Sequence, residues 1–162
     1  MGTPTYTALA NITLGSSASS VTFSSIPATY RDLVLEIVIQ PSGTALDNVF
    51  LRFNSDSGSN YSYVEAFGTG SGTGSPSGTL AYFFLGYHGG GTSSTQIGTT
   101  VLDYSATDKH KTGLTRNDKS DQGTSMIASR WANTAAITSV LVDSVAATFP
   151  TGSTFNLFGI AA

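Results

Sequence analysis

Apolar residues in this chain recur at every second position or in short continuous runs, and clusters of Gly, Ser, Asn and Pro separate the runs. Alternation with period two is typical of β-strands, whose side chains point to opposite faces in turn, and we find no convincing helical periodicity. The sequence therefore predicts an all-β chain. The predicted strands cover residues 6–14, 20–25, 32–40, 49–54, 61–67, 80–87, 96–104, a weak one near 111–115, 125–131, 137–145 and 154–160.

Many short strands separated by turn residues favour two packed antiparallel sheets. A length of 162 residues suits one domain with a real core. We therefore predict a single-domain antiparallel β-sandwich, jelly-roll-like, over residues 1–162. Gly-rich or charged segments predict flexible loops at about residues 68–78, 88–95 and 108–121.

Two predicted strands are apolar on both faces, whereas a strand with one wet face should alternate. In residues 32–40, Val34 and Val38 share the second face with Glu36, and residues 80–87 carry aromatic or aliphatic side chains on both sides. Either a long loop or a neighbouring subunit should cover the second face. The candidate subunit interface consists of Val34, Glu36, Val38, Tyr82, Phe83, Phe84, Leu85 and Tyr87.

The segment 108–121 contains four of the seven basic residues of the chain. It carries both signs of charge and turn-forming residues, so it suits either a solvated hairpin or a loop that docks on a partner. The candidate docking residues are Lys109, Lys111, Arg116 and Lys119.

Charged residues make up only 10% of the chain, against a usual share of about 25%, and serine and threonine (23 each) replace them. A net charge of -3 disfavours nucleic acid and acidic membranes as partners. The chain has no cysteine, which excludes disulfides and thiolate metal sites. Residues 1–6 show no basic region followed by an apolar run, so we do not expect a signal peptide.

No group of residues predicts catalysis. Asp32 and Glu36 share a strand face at roughly 13 Å, beyond the about 5–9.5 Å of glycosidase carboxylates. The two histidines, His88 and His110, adjoin predicted loops and are expected at the surface. Residues 54–60 (NSDSGSN) loosely resemble a calcium loop but lack its closing Glu, so an Asx-rich hairpin turn is the better interpretation. We therefore expect no catalytic, metal or cofactor-binding site, no cofactor, and no enzymatic activity.

Four segments resemble those of small structural proteins of tailed bacteriophages, with marine and cyanobacterial phages as the nearest comparison. They are residues 24–35 (SSIPATYRDLVL), 51–62 (LRFNSDSGSNYS), 130–140 (RWANTAAITSV) and 155–160 (FNLFGI). The resemblance implies a jelly-roll-like module on virions, used as a capsid cement protein or as a tail or fibre piece, and commonly trimeric. It transfers no functional residue.

The first functional hypothesis is a capsid decoration or cement protein on the outer capsid surface, made in the host cytoplasm. Its partners would be itself, as a homotrimer, and the phage major capsid protein, with capsid contacts on the N-terminal segment or the 108–121 loop. The alternative is a carbohydrate-binding module of a tail fibre or baseplate. It would associate with other tail proteins and would bind the host surface through tyrosines beside glycine loops. A third hypothesis is a polysaccharide depolymerase, which would need at least two carboxylates close together.

Overall fold

The structure is a computed structural model that describes residues 5–43 and 45–161, and this part of the chain consists of β-strands and turns. No helix in these residues is long and apolar enough to cross a membrane. The strands are β1 (Tyr6–Thr13), β2 (Ser20–Phe23), β3 (Asp32–Ile39), β4 (Asp47–Phe53), β5 (Tyr61–Gly68), β6 (Thr73–Gly74), β7 (Ser77–Leu80), β8 (Phe83–His88), β9 (Thr95–Leu102), β10 (Lys111–Lys119), β11 (Gly123–Trp131), β12 (Val140–Ser144) and β13 (Thr154–Ile160).

The all-β prediction is confirmed, and each predicted strand has a counterpart in the structure. The loop predicted at 68–78 was wrong in part, because it contains β6 and the start of β7, which both pair with β5. The loop predicted at 108–121 was wrong for most of its length, because β10 occupies residues 111–119 and pairs on both sides. The loop predicted at 88–95 corresponds to the connection between β8, which ends at His88, and β9, which begins at Thr95.

The strands form two antiparallel sheets. The larger sheet has nine strands in the order β1-β13-β3-β9-β10-β11-β5-β6, with β7 also paired to β5. The smaller sheet has four strands in the order β2-β12-β4-β8. Four strands of the larger sheet, in the order β1-β13-β3-β9, combine with the four strands of the smaller sheet, in the order β2-β12-β4-β8. These eight strands form a jelly-roll-like arrangement.

The remaining strands extend the larger sheet beyond the smaller one. β5, β6 and β7 lie between β4 and β8 in the chain, and β10 and β11 lie between β9 and β12. They join the sheet next to β9, so β9 is the fourth of seven consecutive strands from β1 to β5. This extension gives the molecule one broad sheet with a long outward surface.

The core lies between the two sheets and is rich in aromatic side chains. The ring centroids of Phe53 and Phe83 are 5.2 Å apart, and Trp131 stacks on Tyr61 at 6.2 Å. All four side chains are almost completely buried. Aromatic contacts of this kind contribute about 0.5–1.5 kcal/mol each beyond their buried area.

The inner face of the extension is more polar than the rest of the core. Thr115 of β10 donates its hydroxyl to that of Thr99 of β9 at 2.7 Å, and both are buried. β8, the edge strand of the smaller sheet, lies against this polar face. Ser129 donates to the Phe84 carbonyl at 3.1 Å, and Asn117 donates to the Tyr87 carbonyl at 3.0 Å. The larger sheet thus supplies the hydrogen bonds that a paired strand would otherwise give to this edge.

Candidate functional site

The outward face of the larger sheet carries a row of residues that the strand register aligns across seven strands. Cross-strand pairs join its members successively from β5 to β1. We call it the outer row; it consists of Val64, Ala128, Leu114, Thr100, Val34, Phe158 and Ala8. Only Thr100 is polar.

Large apolar side chains of the outer row face solvent. Leu114 is 54% exposed and Val64 is 48% exposed, and Met126, one pleat further along β11, is 47% exposed. Exposed apolar residues scattered singly are ordinary, but a contiguous patch on a sheet face marks an interaction surface.

Opposite charges lie in the adjacent row, on either side of the central strand. Gly98 of β9 pairs with Glu36 of β3 on one side and with Arg116 of β10 on the other. The carboxylate of Glu36 lies over Gly98, since a methyl group there would be 3.2 Å from Oε1. Partial desolvation raises the pKa of Glu36, and Arg116 opposes this shift. Arg116 also binds Asp118, with its Nε 2.5 Å from a carboxylate oxygen.

The interface residues predicted on β3 do lie on this outward face. Glu36 is exposed and Val38 is half-buried, whereas Val34 is only 7% exposed because Phe158 and Thr100 flank it on neighbouring strands. Val34 therefore presents only a small part of its surface outward. Glu36 and Val38 present more of theirs and remain accessible to a partner.

The interface residues predicted on β8 lie differently. Phe83 and Leu85 are in the core and are fully buried, and Phe84 is 3% exposed. Phe84 contacts Tyr63 of β5 at 5.1 Å between ring centroids, so the chain itself covers much of the second face of β8. The cover is a strand of the larger sheet and not the expected loop.

Two half-buried tyrosines complete the predicted β8 surface. Tyr82 stacks on Phe50 at 4.3 Å and accepts a hydrogen bond from the Asn48 amide at 3.2 Å. Tyr87 contacts Phe84 edge to face at 5.3 Å. Both side chains are held by neighbours within the chain.

The four predicted docking residues do not share one surface. Lys109 and Arg116 are exposed, but Lys111 and Lys119 point inward from β10 and are 0% and 3% exposed. Alternation along a strand places odd-numbered residues of β10 on the inner face, which explains the division. The prediction that all four form an exposed docking loop was wrong. The other predicted capsid contact, the N-terminal segment, falls partly on residues 1–4, which lie outside the described residues.

Lys111 has a structural role instead. Its ammonium group donates to the carbonyl oxygens of Ala106 at 2.7 Å, Lys109 at 2.9 Å and Thr134 at 3.1 Å. Burial lowers the pKa of Lys111, while Asp108 and Asp103 oppose this shift. The lysine joins the turn before β10 to the segment after β11.

A cleft of about 300 Å³ opens at one end of the larger sheet. Leu46, Phe67 and Tyr87 give it apolar walls, and Asn117 and Lys119 give it polar groups. Its other lining residues are Gly68, Thr69, Gln122, Gly123, Thr124 and Ser125.

A buried carboxylate lies beside this cleft. Glu65 is 1% exposed and accepts hydrogen bonds from Ser125 at 2.6 Å and from the Tyr87 hydroxyl at 3.5 Å. Burial, reinforced by Glu65, raises the pKa of Tyr87 to about 12. Tyr87 is therefore neutral near pH 7, and its hydroxyl donates a hydrogen bond to Glu65.

His88 is fully buried, so the expectation of a surface histidine was wrong. Its ring lies 5.5 Å from that of Phe149, and among the described residues neither ring nitrogen has a hydrogen-bond partner. Burial lowers its pKa and Asp47 opposes the shift. A neutral imidazole in this environment fills core space.

The turn at residues 54–60 contains the predicted Asx geometry, because the Gly58 amide donates to Asp56 Oδ1 at 2.9 Å. It is not a hairpin, since it joins β4 of the smaller sheet to β5 of the larger one. In residues 5–43 and 45–161, no three His, Asp or Glu side chains are grouped so that they could hold a metal ion.

The exposed apolar residues of the outer row on β5, β10 and β11 were not predicted as a site. An apolar residue such as Leu114 or Met126 gives no sign of exposure in the sequence, because apolar residues usually mark the buried face of a strand. They point outward because the alternate residues of β10 and β11 face inward, where Asn117 and Ser129 bond to β8.

No family model, curated protein or solved structure matches this chain.

Proposed function

We propose that this chain is a non-enzymatic structural protein of a tailed-bacteriophage virion, and specifically a capsid decoration or cement protein. It would associate with copies of itself and bridge neighbouring major capsid subunits on the outer capsid surface. The observation that carries the proposal is the broad outward face of the larger sheet with its outer row of apolar residues. A surface of this kind is typical of proteins that work by contact with other proteins.

The jelly-roll-like strand order supports the proposal by analogy. Viral capsid domains and lectins both use this architecture. Because one fold serves many functions, the strand order alone does not separate these two classes. The apolar outer row favours protein contacts over sugar contacts, since sugars are bound chiefly by polar groups and aromatic platforms.

The polar groups of the described interior also suit a structural role. Lys111 binds three carbonyl oxygens, and Glu65 binds two hydroxyl groups. Each of these buried polar groups serves to hold backbone or side chains in place. A general acid or base needs access to a substrate, and Glu65 at 1% exposure offers little.

Cryo-electron microscopy of the particle that carries this chain tests the proposal. We expect density for the two-sheet domain on the outside of the head, in contact with at least two major capsid subunits. Density for the domain on the tail alone, or no density for it on the head, would contradict the decoration role.

The cleft beside Tyr87 favours a second candidate, the carbohydrate-binding module of a tail fibre or baseplate. An aromatic wall beside the amide of Asn117 is a suitable surface for a sugar ring. A glycan array followed by titration calorimetry tests it. Saturable binding that a Tyr87→Ala variant loses would support this candidate, and absence of any glycan binding would remove it.

A further inference from the structure

We infer that the outward face of the larger sheet pairs with the same face of a second copy of this chain, about a twofold axis that runs along β9. The inference rests on the proposed self-association and names its surface and its symmetry. The partner is therefore this chain itself.

Between β1 and β5, the strand order places three strands on each side of β9. β9 is the fourth of the seven strands β1, β13, β3, β9, β10, β11 and β5, and β6 and β7 continue the sheet beyond β5, outside this seven-strand face. A twofold axis parallel to β9, lying between two opposed faces, brings β10 of one copy over β3 of the other. It likewise brings β11 over β13 and β5 over β1. Because the axis follows the strands, each transverse row stays opposite its own counterpart.

The outer row is complementary to itself under this operation. Leu114 lies opposite Val34 of the second copy, and Ala128 lies opposite Phe158. Val64 in turn meets Ala8. Two of these three contacts join a large side chain to an alanine, so projections on one half of the face meet recesses on the other.

The charged row is complementary under the same operation. Glu36 and Arg116 lie one strand to either side of Gly98, so each Arg116 faces Glu36 of the second copy. The pairing occurs twice because the contact is isologous. A twofold axis across the strands at the same level would instead bring Glu36 onto Glu36. Charge therefore selects the axis along β9.

The available area is close to that of a stable interface. Seven strands at about 4.8 Å spacing and seven residues at about 3.4 Å rise define a face of roughly 34 Å by 24 Å. That is about 800 Å² per copy, which matches the about 800 Å² per partner of standard interfaces. Two copies use this face completely, so it closes a dimer and not the trimer that the phage resemblance implies.

The test measures the mass of the wild-type chain by light scattering and sedimentation over a concentration series. We expect a dimer of the 16.7 kDa chain that weakens as salt is added. Glu36→Lys and Arg116→Glu each turn two attractive pairs into repulsive ones. Each variant alone should dimerise at least about tenfold more weakly than the wild type.

Mixing the two variants gives the decisive result. In a mixed dimer the lysine introduced at position 36 of one chain faces the glutamate introduced at position 116 of the other. The unchanged Glu36 of the second chain faces the unchanged Arg116 of the first, so both pairs are again attractive. We expect the mixture to dimerise more tightly than either variant alone and to approach the wild type. A purely intrachain effect of either substitution would not be repaired by mixing.

Leu114→Glu tests the apolar row independently and should also give monomers, because a carboxylate would face Val34 of the second copy. Val145→Glu is the matched control, since Val145 is 58% exposed and lies beyond β12, off this face. The control should dimerise like the wild type. Circular dichroism confirms that each variant is folded.

A wild-type monomer at all concentrations, a trimer, or a dimer that these face variants do not weaken would each overturn the inference. Failure of the mixture to recover the dimer would overturn it as well. None of these results decides where the chain lies on a particle. The microscopy experiment therefore tests the virion role separately, and the two can fail independently.

Discussion

Trp131 donates its indole N–H to a carboxylate oxygen of Asp56 at 2.7 Å, which links the end of β11 to the turn between β4 and β5. The same carboxylate accepts hydrogen bonds from the Asn60 side chain at 2.8 Å and from the Gly58 amide at 2.9 Å. Trp131 is 1% exposed, so its N–H has no access to water. One surface turn thus supplies the polar partner of the largest core side chain.

Replacement of Asp56 by alanine should lower the free energy of unfolding by about 2 kcal/mol, because it leaves a buried indole N–H without an acceptor. Asp56→Asn should cost less, since the amide oxygen can still accept. Urea denaturation at pH 7 measures both, and Ser57→Ala, in the exposed part of the same turn, is the control. Equal stability of the alanine variant and the control would contradict the role of Asp56.

Asp56 should also contribute to acid sensitivity. The hydrogen bond from Asn60, with those from Gly58 and Trp131, lowers the pKa of Asp56 below its ordinary 3.8 against the opposing effect of burial. A lowered folded-state pKa means that the stabilisation is complete above about pH 4 and is lost as pH falls through the folded value. The wild type should therefore lose more stability than Asp56→Asn between pH 5 and pH 2 (both values approximate).

Lys111→Met should destabilise the chain by about 3 kcal/mol or more, because three carbonyl oxygens lose their shared donor. Lys109→Met provides the comparison, since Lys109 is exposed and pairs only loosely with Asp103 at 3.4 Å. Chemical denaturation of both variants tests this directly. If the two substitutions cost the same, the three hydrogen bonds of Lys111 contribute little.

Gly113→Ala should cost about 1–3 kcal/mol through overpacking. A Cβ atom at this position would lie 2.4 Å from the Thr100 carbonyl oxygen and 2.9 Å from the Phe83 ring. Gly15→Ala is the matched control, because nothing lies within 4 Å of its Cβ position. Thermal melts should separate the two variants, and identical melting temperatures would show that β9 and β10 can move apart without cost.

His88 should make the wild type less stable as the medium becomes mildly acidic. Burial lowers its pKa from 6.5, so the unfolded chain binds the proton more readily than the folded one. Stability is then complete above the unfolded pKa and decreases as pH falls below it. His88→Phe keeps a ring beside Phe149 and should abolish this decrease. Urea midpoints between about pH 7 and pH 5 measure it, and parallel curves would refute it.

The strands were predictable because alternation with period two survives in nearly every one of them. β10 was predicted as weak and short because its inner face carries Thr115, Asn117 and Lys119, where apolar residues would signal a core. Each of these polar residues is buried with a partner outside β10: Asn117 donates to the Tyr87 carbonyl of β8, Thr115 to Thr99 of β9 and Lys119 to Asp121. The polar inner face therefore depends on partners that the sequence of β10 does not reveal.

The candidate surface was predictable only in part. Glu36 and Val38 were predicted as interface residues because Val38 continues an apolar second face on β3 and Glu36 interrupts it. Phe83 and Leu85 were misassigned as subunit contacts, because two apolar faces on one strand do not distinguish a neighbouring chain from a neighbouring sheet. Leu114 was missed because its outward direction depends on which face of β10 packs inward, and that face carries polar residues such as Thr115 and Asn117.

β1 and β13 pair from Tyr6 opposite Ile160 to Thr13 opposite Thr154, so the two ends of the described chain lie side by side. β1 has no other strand as a neighbour in its sheet. It gains its partner only when segments nearly a whole chain length apart meet, and closing such a long loop is entropically costly. We therefore expect β1 to dock late during folding and its amide hydrogens to exchange before those of β3 and β9.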